Sequence, residues 1–198
     1  MKSSLDQVYV KRLFDEPEIS YLREIFDSDL ETEKGTWQCI SNIFKHEDPV
    51  IKKYVESFIK KKIDWATAFT KQEWRLKNVF LLEYHPGGEA TLHIDNHSVV
   101  GGMSFVTLVE EEDLVGGDII IQEANVSDGD PTIKENISVI DPNDHANQHK
   151  VPLKVGETII YNASVIHGVT KIKRGFRRVL VAWLVPRKAV LPEWTITK

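Results

Sequence analysis

Leu82-Glu83-Tyr84-His85-Pro86-Gly87-Gly88-Glu89-Ala90-Thr91-Leu92-His93-Ile94-Asp95 carries most of what can be read from this chain. It opens at the end of an apolar, β-branched and aromatic run, Val79 to Tyr84, breaks at Pro86-Gly87-Gly88 and resumes at Thr91. Pro-Gly and Gly-Gly are turn signals, so the pattern predicts two strands joined by a turn. Successive strand side chains leave opposite faces, which puts His93 and Asp95 on one face and the apolar Ile94 on the other. The pattern predicts a polar site on a strand whose back is covered.

Beyond Asp95 the chain keeps the same character. Val99 to Val109, Asp118 to Gln122, Thr158 to Tyr161, Val165 to Val169 and Phe176 to Val185 are further short runs, separated by Gly101-Gly102, Gly116-Gly117, Gly156 and Gly175. Strands of this length and spacing predict a closed barrel or a two-sheet jelly roll over 76–186. Residues 123–152, rich in Asp, Asn, Pro and His, interrupt it as a long insert loop, the kind that often serves as a lid or binding element. Residues 1–75 read mainly as helix. Pro17 opens a segment with Ile19, Leu22, Ile25 and Phe26 at helical spacing. Asp48-Pro49 opens a second, whose stripe is Ile51, Tyr54, Val55, Phe58, Ile59 and Ile63. Lys52, Lys53, Lys60, Lys61 and Lys62 are assigned to its solvated face. Trp37 to Phe44 reads as a strand between the two helices. The fold class expected is α+β, mainly β: a barrel buttressed by N-terminal helices.

The chain has 198 residues, which suits a single domain over 1–198 with a core that needs no staples. Its 41% hydrophobic and 28% charged content excludes wholesale disorder. A net charge of −5 gives no electrostatic reason to expect nucleic acid as a partner. No apolar run approaches the roughly 20 residues that span a bilayer, so no membrane is expected either. One cysteine, Cys39, excludes an internal disulfide. Together with a start that lacks an apolar signal segment, it points to a cytoplasmic setting. Nothing in the pattern specifies an oligomeric state.

A second histidine completes the chemistry. His167 lies in Val165-Ile166-His167-Gly168-Val169, another β run. Two imidazoles and a carboxylate from adjacent strands can occupy one face of an octahedron, the facial triad of non-haem Fe(II) oxygenases, with three positions left for substrate and O₂. Zinc accepts such ligands, but its hydrolytic sites usually carry a general base beside them. Ten residues past His167, Arg177 alternates with Val179, Val181 and Trp183 on one apolar face. A buried guanidinium needs an anion, and a carboxylate meets it through two parallel hydrogen bonds. A cosubstrate that chelates iron at one end and carries a distal carboxylate fits that demand. Arg178 is assigned to the outward face as an ordinary surface charge.

His93-Ile94-Asp95, His167 and Arg177 together resemble the triad and cosubstrate anchor of the Fe(II)/2-oxoglutarate-dependent dioxygenases. Tyr84, the Pro86-Gly87 turn, Gly116-Gly117-Asp118, Val155-Gly156-Glu157 and His167-Gly168-Val169 resemble the prolyl 4-hydroxylase-like branch, over roughly 75–185. The resemblance implies a double-stranded β-helix, with His93, Asp95 and His167 as iron ligands. It implies Arg177 on the C5 carboxylate of 2-oxoglutarate and Tyr84 near the cosubstrate. Fe(II), 2-oxoglutarate and O₂ follow as cofactor and cosubstrates, with ascorbate as an optional reductant. The implied reaction hydroxylates an unactivated C–H bond of a peptidyl proline, an amino acid or a small metabolite, releasing succinate and CO₂. Two features depart from collagen-type prolyl hydroxylases: an arginine anchor where they generally use lysine, and the 123–152 insert. Asp95 is the carboxylate that halogenating members replace, so its presence favours hydroxylation.

Other classes remain open at this level. One is a non-catalytic, cupin-like metal-binding module. Another is a cupin isomerase or thiol-type dioxygenase, which leaves Arg177 without a role. His97 continues the His93–Asp95 face and is a candidate pocket residue if the strand extends that far. His145 and His149 would pair only in a helix, and otherwise belong to a solvated loop. His46 and His85 read as surface or capping residues. Glu110 to Asp113 reads as a solvated acidic turn, Trp183 as core with cofactor contact also open to it, and Cys39 as a packed strand residue.

Overall fold

The computed structural model describes residues 2–29, 37–41, 49–95, 102–123, 125–126 and 145–188. In chain order these form β1 (Lys2–Ser3), β2 (Val8–Arg12), α1 (Glu16–Asp29), β3 (Trp37–Ser41), α2 (Pro49–Thr70), β4 (Trp74–Tyr84) and β5 (Ala90–His93). They continue with β6 (Met103–Val115), β7 (Ile119–Gln122), β8 (Asn125–Val126), β9 (Gln148–Val151), β10 (Glu157–Asn162), β11 (His167–Val169) and β12 (Arg174–Pro186). Six strands make a larger antiparallel sheet in the order β2-β10-β6-β12-β4-β3, and four make a smaller one, β5-β11-β7-β9. β1 and β8 form a separate short pair. No helix among the described residues is long and apolar enough to cross a membrane.

Alternation along β12 explains the layering. Leu180, Ala182 and Leu184 join Val79, Leu81 and Phe105 in one core with Phe14, Ile19, Leu22 and Phe26 of the α1 region and Val55, Phe58 and Ile59 of α2. Val179 and Val181 join Tyr84 and Leu108 in a second cluster on the opposite face, with Phe80, Leu82 and Trp183 packed against it. The larger sheet is therefore covered by helices on one side and faces the smaller sheet on the other. α1 begins with a reciprocal cap: Glu18 N donates to Asp15 Oδ1 at 3.1 Å, and Asp15 N donates to Glu18 Oε2 at 3.0 Å. Pro17 follows within the first turn, where its missing N–H costs nothing.

The structure corrects several expectations. In the 1–75 segment β2 is a strand the sequence did not announce; with the expected β3 it forms the two edges of the larger sheet. Edge position leaves most of β2 exposed, so no inside–outside alternation marks it in the sequence. The expected strand 37–44 is described only as far as Ser41, with Cys39 opposite Leu82 in β4. The 123–152 insert ends in β9, which pairs with β7, so its last residues belong to the smaller sheet. Residues 124 and 127–144 lie outside those described. Glu110 to Asp113 lies inside β6 rather than in a turn, with Glu110, Glu111 and Glu112 opposite β12, while Glu111, Glu112 and Asp113 are solvated as expected.

Lys62 is the clearest reversal. Its residue type suggests the solvated face, yet it stands four residues from both Phe58 and Ala66, in the middle of the buried stripe of α2. It is fully buried, and its Nζ donates to Thr107 Oγ1 at 3.0 Å. Thr107 in turn shares a 2.8 Å hydrogen bond with Thr158. The amine lies 5.3 Å from the ring centroid of Phe14 and 5.8 Å from that of Phe105. Desolvation pushes it down from 10.5 to about 7. Between those two values the unfolded chain binds more protons than the folded one, so this group makes stability rise with pH across that window. Lys62→Met should therefore stabilise the protein near neutrality by about 2–4 kcal/mol, with Thr107 still satisfied by Thr158. The gap should shrink towards about pH 10 as the wild-type amine sheds its penalty. Urea unfolding of both proteins at the two pH values checks this; a gap that widens with pH contradicts it.

Candidate functional site

Strand register brings the site together. β11 pairs with β5 so that His167 lies directly opposite His93. Their ring centroids are 4.4 Å apart. β5 ends at His93, and Asp95 follows as an irregular residue whose N–H donates to Ala163 O at 3.1 Å. That bond turns the carboxylate back towards the histidines. Asp95 Oδ1 is 3.5 Å from His93 Nε2 and 3.5 Å from His167 Nε2, and the three ligand atoms lie within 4.8 Å of one another. Gly168 permits the close approach of β11 to β5, since a Cβ there would sit 2.7 Å from Ala90 O.

The other ring nitrogens fix the tautomers. His93 Nδ1 lies 2.6 Å from Thr91 O, and His167 Nδ1 lies 2.9 Å from Val165 O. A carbonyl only accepts, so each Nδ1 carries a proton, and Nε2 is the ring atom each histidine turns towards Asp95 and the centre. This is the arrangement that orients metal-binding histidines. Burial by itself would raise the Asp95 carboxyl, but hydrogen bonding to His167 and His93 holds it well below the usual carboxylate range. The same contact with Asp95 raises His93. An ionised carboxylate and two imidazole lone pairs fit a divalent cation bound facially. The two histidines and the aspartate expected from the sequence are thus brought together.

The triad opens into a cavity of about 470 Å³ between the two sheets, in the usual size range of small-molecule sites. Its walls include Phe80, Leu82, Val106, Val181 and Trp183. Arg177 and Tyr84 line it too, directly opposite each other on β12 and β4. Arg177 is 4% exposed. One terminal nitrogen donates to Gly117 O, while its Nε has no hydrogen-bond partner among the described residues. Gly116, beside that carbonyl, adopts φ +82°, and a Cβ there would lie 2.1 Å from Lys171 O. A buried guanidinium and the three convergent side chains thus share one cavity.

Tyr161 escaped the sequence reading. It is 1% exposed, lines the same cavity and donates from its hydroxyl to Asp95 Oδ2 at 3.4 Å. Burial, reinforced by the Asp95 charge, pushes its phenol well above the ordinary value, so it stays a donor. The one signal available was alternation in β10, which sends Tyr161 to the face opposite Ile160. Trp183 lines the cavity as well as packing against Phe80, at 5.0 Å between ring centroids.

Arg178 is not a surface charge. Its guanidinium binds Glu83, Asp27 of α1 at 2.7 Å and Glu110 at 2.9 Å, and lies 5.2 Å from the Phe26 ring centroid. The face of β12 turned away from the cavity is covered by α1, so leaving the cavity does not mean reaching solvent. His85 Nε2 sits 2.6 Å from Glu83 Oε1, and His149 Nε2 sits 3.1 Å from Glu123 Oε2. His149 lies in β9 after a short 3₁₀ turn at His145–Asn147, so the helical pairing of the two histidines does not form. His46 and His97 lie outside the described residues.

No protein-family model matches the sequence. A PKHD-type hydroxylase of Prochlorococcus marinus (strain MIT 9515) is 30% identical over 96 residues, 46% of this chain and 34% of that protein. The match thus spans about a third of the relative's length. Among solved structures, HygX from Streptomyces hygroscopicus with nickel and 2-oxoglutarate bound superposes with TM-score 0.71 and 12% identity, over 92% of this chain and 84% of that one. SnoN, a non-haem alpha-ketoglutarate-dependent epimerase from nogalamycin biosynthesis, gives 0.72 and 11%, over 96% and 82%. A 2OG-Fe(II) oxygenase family oxidoreductase from Burkholderia pseudomallei gives 0.64 and 12%, over 91% and 84%. The chain therefore has the fold of the 2-oxoglutarate oxygenases, and the two-sheet, mainly β architecture expected from its strand pattern is borne out.

The two adjacent arginines should respond oppositely to truncation. Arg178→Ala takes the guanidinium from buried Glu83, leaving it His85 alone, and should lower stability by about 2–3 kcal/mol. Arg177→Ala removes a buried, incompletely satisfied charge and should leave the ligand-free protein at least as stable as wild type. Chemical denaturation of the two variants measures both; equal losses would contradict the assignment of faces.

Proposed function

We propose that this chain is an Fe(II)- and 2-oxoglutarate-dependent dioxygenase of the prolyl 4-hydroxylase-like branch, its two sheets forming a double-stranded β-helix. The observation that carries the reading is one cavity holding both a convergent His93–Asp95–His167 set and a buried Arg177 whose Nε meets no partner among the described residues. His93 and His167 would hold iron through Nε2 and Asp95 through Oδ1. Arg177 would grip the C5 carboxylate of 2-oxoglutarate, with Tyr84 beside it. The bound metal supplies O₂ activation, coupling loss of CO₂ from 2-oxoglutarate to insertion of one oxygen into a C–H bond and the other into succinate. The apolar walls exclude water and orient the substrate, a peptide or a small molecule. The likeness to the PKHD-type hydroxylase supports hydroxylation, and the single cysteine accords with a cytoplasmic setting.

The decisive test is anaerobic loading with Fe(II), followed by assay of 2-oxoglutarate turnover. Wild type should form succinate; a non-catalytic cupin-like module would retain metal and form none. His167→Ala should lose iron retention and turnover together. Arg177→Ala should keep Fe(II) affinity while the 2-oxoglutarate KM rises about a hundredfold or more, because breaking a buried ion pair costs about 3–5 kcal/mol. Arg177→Lys should recover only part of this, since an ammonium cannot reproduce a two-pronged contact. Unchanged KM in Arg177→Ala would remove the anchor from this reading.

A further inference from the structure

We infer that Tyr161 is a positioning residue of the metal centre, whose hydroxyl holds Asp95 Oδ2 and so keeps Asp95 a one-oxygen ligand through Oδ1. The inference rests on the metal-binding reading above and extends it to a residue outside the triad. Geometry divides the carboxylate between two tasks. Oδ1 faces both imidazoles, 3.5 Å from each Nε2. Oδ2 takes the Tyr161 hydroxyl at 3.4 Å. A free carboxylate can turn about its last bond and bind a cation with either oxygen or with both. A second Asp95 oxygen on the metal would take one of the three positions that a facial triad keeps open.

Tyr161 is suited to prevent that rotation. It is 1% exposed, and its ring is packed with Ile121, Ile159 and Val165. The ring lies 4.5 Å from that of His167 at 47°, so one side chain touches two of the three ligands. Its strand is fixed on both sides, with Tyr161 opposite Ser104 of β6 and Val8 of β2. Thus a β2 edge strand supplied by the N-terminal segment helps to seat a residue at the metal centre.

The test is Tyr161→Phe, which keeps the ring and its packing and deletes only the hydroxyl. Metal-free wild type and variant are titrated anaerobically with Co(II), their visible ligand-field spectra recorded, and their thermal unfolding compared without metal. The expected result is Co(II) affinity weakened about tenfold or more, as when a partner behind a metal ligand is lost. It should come with altered ligand-field bands and an unchanged melting temperature. A variant with wild-type affinity and wild-type bands overturns the inference and leaves the oxygenase reading intact. A lowered melting temperature with wild-type bands also overturns it, assigning Tyr161 to the core alone. Wild type that binds no Co(II) overturns the metal-centre reading itself, and this inference with it.

Discussion

Arg177 and Arg178 leave opposite faces of β12, one towards the cavity and the other partly covered by α1. This division of faces is the constraint around which the molecule is organised. On the helix side, Arg178 is satisfied within the chain by Glu83, Glu110 and Asp27, which ties α1 to β4, β6 and β12. On the cavity side, Arg177 donates to one carbonyl, and its Nε meets no partner among the described residues. The two residues are adjacent and chemically identical, yet one is held by three carboxylates of the chain and the other lines the cavity.

The His93–Asp95–His167 cluster depends on the smaller sheet in a comparable way. His93 and His167 face each other because β5 and β11 pair in one register, and a shift of a single residue would turn either ring to the other face. Thr91 O and Val165 O, each two residues before its histidine, set the tautomers locally. Asp95 is aimed by a loop contact, its N–H on Ala163 O. Two ligands are thus positioned by sheet geometry and the third by a backbone hydrogen bond just beyond it. The larger sheet brings Arg177, Tyr84 and Tyr161 across the gap, so the site exists only where the two sheets face each other.

The chemistry-bearing residues were legible because metal ligation and carboxylate binding demand particular side chains at fixed spacing. His93-Ile94-Asp95, His167 and Arg177 pointed to a facial triad and an anion anchor before any coordinates, and the strands around them followed from turn residues and alternation. Lys62, Arg178 and Tyr161 were illegible for a shared reason. Their roles depend on what lies across from them, and residue type misleads when a neighbouring layer covers the face. Lys62 has the side chain of a surface residue, but α2 lays it against Phe14, Phe105 and Thr107. Tyr161 looks like any aromatic in a strand until β10 brings it to Asp95. Periodicity along a chain tells which residues share a face. Which faces are buried, and which oxygen of Asp95 points at the histidines, is settled by long-range packing that no local pattern encodes.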